Sequence, residues 1–201
     1  MKAEDYSHYF VKMTYNPKDY YFKKAKQRHF AARSVFKLEE LDLRFKLIHT
    51  SNHVLDLGCA PGSWSQYASA KVGSHGRIIG VDLKKVQLTL PNTTFIQADI
   101  LNLHDLAGKT FDVVMSDMAP QTTGIRIQDQ QRSFELCSAA IQIAEKFLKP
   151  EGNFVVKFFH SEEFKTLMDL IKKRFKRVEV VRPKSTRKES KEIYLIGLKK
   201  I

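Results

Sequence analysis

Val54-Leu55-Asp56-Leu57-Gly58-Cys59-Ala60-Pro61-Gly62-Ser63-Trp64-Ser65-Gln66 passes from a strand through a tight turn into a helix. Residues 54–57 are mostly apolar and stop at a turn signal, the pattern of a buried strand. Gly58 and Gly62, the second preceded by Pro61, let the main chain turn sharply and come close to a ligand where a Cβ would collide. Ser63 begins a helical pattern, and a helix start carries N–H groups with no partner inside the helix. Together these form a nucleotide-sized cleft at the carboxyl end of the strand. G-x-G-x-x-G is absent, which excludes the dinucleotide fingerprint, and no Gly-Lys-Ser/Thr follows, which excludes a phosphate-binding P-loop. A ligand with an adenosine but few phosphates fits.

Outward from this turn, apolar runs alternate with helical patterns. Strands are expected over 77–83, 94–99, 111–117 and 153–159, and helices over 31–45, 65–72 and 128–148. Ser161 is placed to cap a further helix, with Glu162 and Glu163 suited to its dipole. Residues 176–182 and 191–198 alternate as a closing antiparallel pair would. Strands alternating with helices predict an α/β fold, a parallel sheet covered on both faces and finished by a hairpin-like edge. The division expected is a basic, aromatic N-terminal arm over 1–30 and one domain over 31–201.

The chain has 201 residues, enough for one well-filled core. Its two cysteines, Cys59 and Cys137, make no disulfide framework and read as buried thiols in a reducing compartment. No apolar run approaches a membrane span and residues 1–5 carry acids, so a cytoplasmic, soluble protein is expected. The net charge of +12 is segregated. Residues 1–50 hold 11 Lys/Arg against 6 Asp/Glu, residues 51–148 hold 8 against 9, and residues 149–201 hold 15 against 7. Basic flanks around a near-neutral middle point to a polyanionic partner, with nucleic acid the first candidate. In the arm, Tyr6, Tyr9, Phe10, Tyr15, Tyr20, Tyr21 and Phe22 precede Lys23, Lys24, Lys26 and Arg28. Such residues either stack bases and hold phosphates or pack the arm onto the domain.

Charged residues close several strands. Asp82 lies twenty residues after Gly62, a spacing that suits a carboxylate accepting ribose hydroxyls. Asp99 closes the next strand, where it can accept from an adenine amino group. Asp117 and Lys157 follow apolar runs in neighbouring strands, so both should emerge at the carboxyl edge of the sheet. An ion pair there contributes little to stability, which favours a site. Lys37, just off the apolar stripe of the first helix, and Glu192, entering the last strand, join them only if the tertiary fold brings them in. His8, His29, His49, His53, His75, His104 and His160 form no ligand spacing, and no metal is expected.

Ala32-Arg33-Ser34-Val35-Phe36-Lys37-Leu38, the glycine turn above, Ser116-Asp117-Met118-Ala119-Pro120, Val155-Val156-Lys157-Phe158 and Ser190-Lys191-Glu192-Ile193-Tyr194 occur in collinear order. In these segments the chain resembles the FtsJ/RrmJ family of S-adenosylmethionine-dependent RNA ribose 2′-O-methyltransferases. The similarity covers about residues 30–200. It is greatest to the branch that methylates a uridine in the A-loop of large-subunit ribosomal RNA. Met118 and Gln121-Thr122-Thr123-Gly124 favour that branch over the one acting on tRNA anticodon loops. Ser63 stands where many members carry a second glycine, which suits a residue already helical.

The resemblance implies a Rossmann-like class I methyltransferase with a seven-stranded, mostly parallel sheet and an antiparallel terminal strand. It implies a catalytic tetrad of Lys37, Asp117, Lys157 and Glu192. It also implies S-adenosylmethionine contacts from Gly58, Pro61, Gly62, Trp64, Asp82, Asp99 and Asp117, with ribosomal RNA or the large ribosomal subunit as partner of a monomer. Methyl transfer to a ribose hydroxyl needs in-line approach and removal of a proton. A free lysine titrates near ~10.4, whereas a useful base sits near ~7–8. Desolvation, Lys37 and the sulfonium would lower Lys157, Asp117 would orient it, and Glu192 would offset Lys37. The competing reading from another class is a non-catalytic RNA-binding protein on the same fold.

Overall fold

A computed structural model describes residues 20–201 apart from 104, 105, 107, 121 and 122. Tyr6, Tyr9, Phe10, Tyr15, His8, His104 and the Gln121-Thr122 step lie outside the described residues. Helices α1 (Tyr20–Gln27) and α2 (Val35–Phe45) precede the first strand. There follow β1 (His53–Leu57), α3 (Ser63–Val72), β2 (Arg77–Asp82), β3 (Thr93–Gln97), β4 (Phe111–Ser116) and α4 (Arg126–Phe147). β5 (Leu148–Phe159), α5 (Phe164–Lys172), β6 (Phe175–Val181) and β7 (Glu192–Lys200) complete the order.

One sheet runs β3-β2-β1-β4-β5-β7-β6. β7 is antiparallel to both β5 and β6, so β6 runs with the other five strands. The expected seven-stranded, mostly parallel sheet is therefore present, and the antiparallel strand lies inside the edge rather than on it. The chain builds leftward from β1 to β3 and then crosses to β4 on the other side of β1. Ligand crevices form at such a reversal of strand order, outside the carboxyl ends of the two strands.

Side chains alternate across a strand, which sorts the core into two layers. Leu55, Leu57, Val114, Phe154, Val156 and Phe158 meet Cys137, Ala140 and Ile141 of α4 and Leu167 and Ile171 of α5. Val54, Met115, Val155, Tyr194 and Ile196 face Val35, Leu38 and Leu41 of α2 and Trp64, Ala68 and Val72 of α3. Lys157, two residues beyond Val155, falls by that alternation on the α2/α3 side. α1 packs through buried Ala25 and through Tyr21, whose ring lies 5.6 Å from that of Phe36.

Three local expectations change. The helix expected over 31–45 starts at Val35, because the preceding segment serves α3: Ala31 N donates to Gln66 Oε1 and Ser34 O accepts from Trp64 Nε1. β3 ends at Gln97, so Asp99 lies in the following turn. Ser161 does not cap α5, since its hydroxyl bonds the Glu163 carboxylate instead.

Asp42, 1% exposed, fastens α2 to α3 and to the chain leading into β1. It accepts from Ile48 N at 2.9 Å, from the Tyr67 hydroxyl at 2.7 Å and from Lys71 at 3.1 Å. Asp42→Ala leaves two buried donors unpaired and should destabilise by about 2–4 kcal/mol in urea unfolding. A loss below about 0.5 kcal/mol would mean that the clasp is dispensable.

Candidate active site

The turn after β1 is fixed from the neighbouring strand. Gly58 N and Cys59 N both donate to Val81 O, and Gly62 N donates to Cys59 O. Gly58 and Gly62 have φ of +73° and +107°, conformations that only glycine adopts without strain. Neither has room for a side chain: a Cβ on Gly58 would strike Met118, and one on Gly62 would lie 2.5 Å from Leu88 Cδ1. Pro61 lies between them, and α3 starts at Ser63 as expected, the Ser63 hydroxyl 2.9 Å from that of Ser34. The first N–H donors of α3 therefore open onto the crevice.

Asp82 ties this turn to the end of β2. Its Oδ2 accepts from Ala60 N at 2.9 Å and its Oδ1 from Lys84 N at 2.8 Å. Each oxygen keeps a lone pair for a further donor. Asp99 accepts from Leu101 N at 3.0 Å and caps the short 3-10 turn Ile100–Asn102. The Trp64 ring is 2% exposed and its Nε1 is spent on Ser34 O, so this residue offers the crevice its main-chain N–H rather than its indole.

The four charged residues singled out in the sequence meet as two ion pairs. Ser116 is level with Val156 in the β4–β5 ladder, which places Lys157 beside Asp117. Lys157 Nζ lies 3.0 Å from Asp117 Oδ1 and also donates to the Asp117 carbonyl. Lys37 on α2 pairs with Glu192 at the start of β7, both side chains nearly buried. A cavity of about 280 Å³ opens over this second pair, rimmed by Arg33 and Arg187. Another of about 330 Å³ shares Ser190 with it and lies against His160 and Lys191.

One member of the cluster was not legible as such. Tyr194 occupies the β7 position opposite Lys157 and donates its hydroxyl to Asp117 Oδ1 at 2.7 Å. It is fully buried, with its ring 5.8 Å from that of Trp64. In the sequence it reads as one more apolar position of an alternating strand. The only signal was its place two residues after Glu192.

Burial would raise the Asp117 carboxyl, but Lys157, then Lys37 and the Tyr194 hydroxyl, outweigh it and hold it below the usual range. Asp56, in β1, goes the other way. Burial pushes its carboxyl up to about 7, against the Ser65 hydrogen bond, and the charges of Asp117 and Asp82 add to the rise. Its Oδ2 accepts from Ser65 at 2.6 Å, while Oδ1 is buried without a partner.

This sheet order, with a glycine turn after β1 and an antiparallel β7, defines a class I methyltransferase. Residues 30–200 match the FtsJ-like methyltransferase family. A ribosomal RNA large subunit methyltransferase E of Bdellovibrio bacteriovorus is 58% identical over 195 residues, covering 94% of this chain and all of the relative. One from Syntrophobacter fumaroxidans is 45% identical over 93% of this chain and 98% of the relative. The crystal structure of a Plasmodium falciparum ribosomal RNA methyltransferase superposes with a TM-score of 0.74 at 28% identity, covering 85% of this chain and 98% of that one. Aeropyrum pernix fibrillarin, solved with S-adenosyl-L-methionine, shares the fold with a TM-score of 0.61 at 17% identity, over 82% of this chain and 76% of that one. The chain belongs to the FtsJ-like methyltransferase family.

Asp56 makes stability depend on pH in a stated direction. The folded chain binds this proton more tightly than an unfolded aspartate, whose ordinary value is 3.8. The contribution is thus complete below about pH 4 and is lost as pH rises through about 7. The stability difference between the native chain and Asp56→Asn should change by about 2–4 kcal/mol across that window, the native chain losing ground. A difference that is flat from pH 4 to 8 would place the carboxyl in contact with water.

Proposed function

We propose that this protein transfers a methyl group from S-adenosylmethionine to a ribose 2′-hydroxyl of large-subunit ribosomal RNA, at a uridine of the A-loop. It does so as a cytoplasmic monomer. The observation that carries the reading is the Lys157–Asp117 pair, held at 3.0 Å at the edge where the β1 glycine turn also ends.

The residues around the turn suit this cofactor. It carries a sulfonium, an ammonium, a carboxylate and an adenosine. Asp82 and Asp117 supply negative charge, and the buried Asp56 Oδ1 still lacks a donor. The first N–H groups of α3 suit a carboxylate. Gly58, Pro61 and Gly62 shape the turn that borders the cofactor, and Asp82 retains acceptor capacity for ribose while Asp99 lies where it can meet adenine. When bound, S-adenosylmethionine supplies a methyl group on a positively charged sulfur that leaves as a neutral thioether.

Lys157, in its neutral form, takes the proton of the 2′-hydroxyl as the oxygen attacks. Asp117 orients the amine through both its carboxylate and its carbonyl. Lys37 lies where it can steady the hydroxyl oxygen as negative charge develops. Glu192 fixes Lys37 and balances its charge, so the site stays near neutral. Arg33 and Arg187, at the mouth of the cavity over that pair, are placed to take backbone phosphates, and the neighbouring cavity at Ser190 extends the path of a strand. Residues 1–30 serve as an arm beside the 31–201 domain that adds basic contacts to RNA, with Tyr21 and Ala25 of α1 packed onto the domain.

Lys157→Ala should lower methyl transfer to ribosomal RNA by at least ~10²-fold while calorimetric binding of S-adenosylmethionine is kept. Activity within tenfold of the native chain would remove Lys157 from the role of base. Lys37→Ala should reduce kcat by roughly tenfold with cofactor affinity unchanged. An unaltered rate would leave that lysine a partner of Glu192 and nothing more.

A further inference from the structure

Asp117 Oδ1 is shared. Lys157 Nζ reaches it at 3.0 Å and the Tyr194 hydroxyl at 2.7 Å. Tyr194 and Lys157 are partners across the β5–β7 ladder, so backbone pairing sets both approaches to that oxygen. The phenol is wholly enclosed, between the Trp64 ring at 5.8 Å and Lys37, whose Nζ lies 6.0 Å from the ring centroid. Burial and then the Asp117 charge hold the Tyr194 hydroxyl protonated well past its usual range, so it is the donor in its bond to Asp117.

We propose that Tyr194 is a positioning residue of methyl transfer: its hydroxyl fixes the Asp117 carboxylate against Lys157 and takes up part of the negative charge that would otherwise bind the ammonium. This rests on Lys157 being the base. An anion that also satisfies a second donor attracts its first more weakly. Without the phenol, the same carboxylate is buried with a lost hydrogen bond and turns fully on the lysine. Further charged groups that act on the cluster, among the described residues, are the Lys37–Glu192 pair from α2 and β7 and Asp56 from β1. The Cys137 thiol of α4 donates to the Lys157 carbonyl. Lys37 acts on Asp117 through space, whereas Tyr194 bonds the very oxygen that Lys157 uses.

The test is Tyr194→Phe in the full chain, with kcat for ribosomal RNA measured across pH. The rising limb should move to higher pH by about half a unit or more, so that kcat at pH 7 drops roughly 3- to 10-fold and recovers at high pH. KM for S-adenosylmethionine should stay within about twofold. Tyr194→3-fluorotyrosine keeps the shape and donates more strongly, and should move the limb to lower pH. It also decides the matter if the phenylalanine variant does not fold. A limb that stays in place in the fluorinated protein, or in a folded Tyr194→Phe of lowered Tm, would overturn the proposal. Transfer retained in Lys157→Ala would instead overturn the base assignment on which it rests.

Discussion

A single carboxylate organises this protein. Asp117 stands where β4 leaves the sheet, receives Lys157 from β5 and Tyr194 from β7, and feels Lys37 from α2. Three elements distant in sequence thus meet on one anion. Enclosing it would be unfavourable alone, and the two donors make it tolerable. The arrangement requires the order β4-β5-β7 and the register that sets Lys157 level with both Asp117 and Tyr194. An antiparallel β7 beside β5 does two things at once. It supplies Tyr194 in the interior of the sheet, and it starts at Glu192 at the mouth of the site.

The second requirement is a backbone that bends without side chains. The turn after β1 is tied to β2 through Val81 O and Asp82, and both its left-handed glycines are roofed by Met118 and Leu88. Met118 follows Asp117 directly, so the loop that carries Asp117 and the glycine turn are in contact at Gly58. Trp64 extends the connection. Its indole binds Ser34 just ahead of α2, and its ring lies against Tyr194. The start of α3 and the Asp117–Lys157–Tyr194 cluster therefore share a wall.

Charge follows the same division. The near-neutral middle of the chain builds the glycine turn and the strands around it. The basic flanks supply Arg33 and Lys37 on one side and Arg187 on the other, at the rim of one cavity. Two ends of the chain contribute to one basic edge because α2 lies over the sheet next to β7.

Much of this was legible without coordinates, since its causes are local. Apolar runs, the glycine turn and Ser63 are properties of a few adjacent residues, and they located five parallel strands and α3 to within a few positions. Asp117 and Lys157 could be placed at one edge because a strand's end follows from its apolar length. Four features escaped a local reading. The true start of α2 depends on Trp64 and Gln66, and the unused cap at Ser161 on Glu163. Asp99 lies past β3, so its turn rather than its strand positions it. Tyr194 looked like any other apolar position of an alternating strand. Sequence by itself determined which residue types stand at which strand ends, because period and turn chemistry are short-ranged. Only the tertiary structure decided that β7 lies between β5 and β6, and with it that a phenol shares the oxygen held by the lysine. Pairing between strands far apart in the chain is set by the packing of the whole sheet, and no local pattern encodes it.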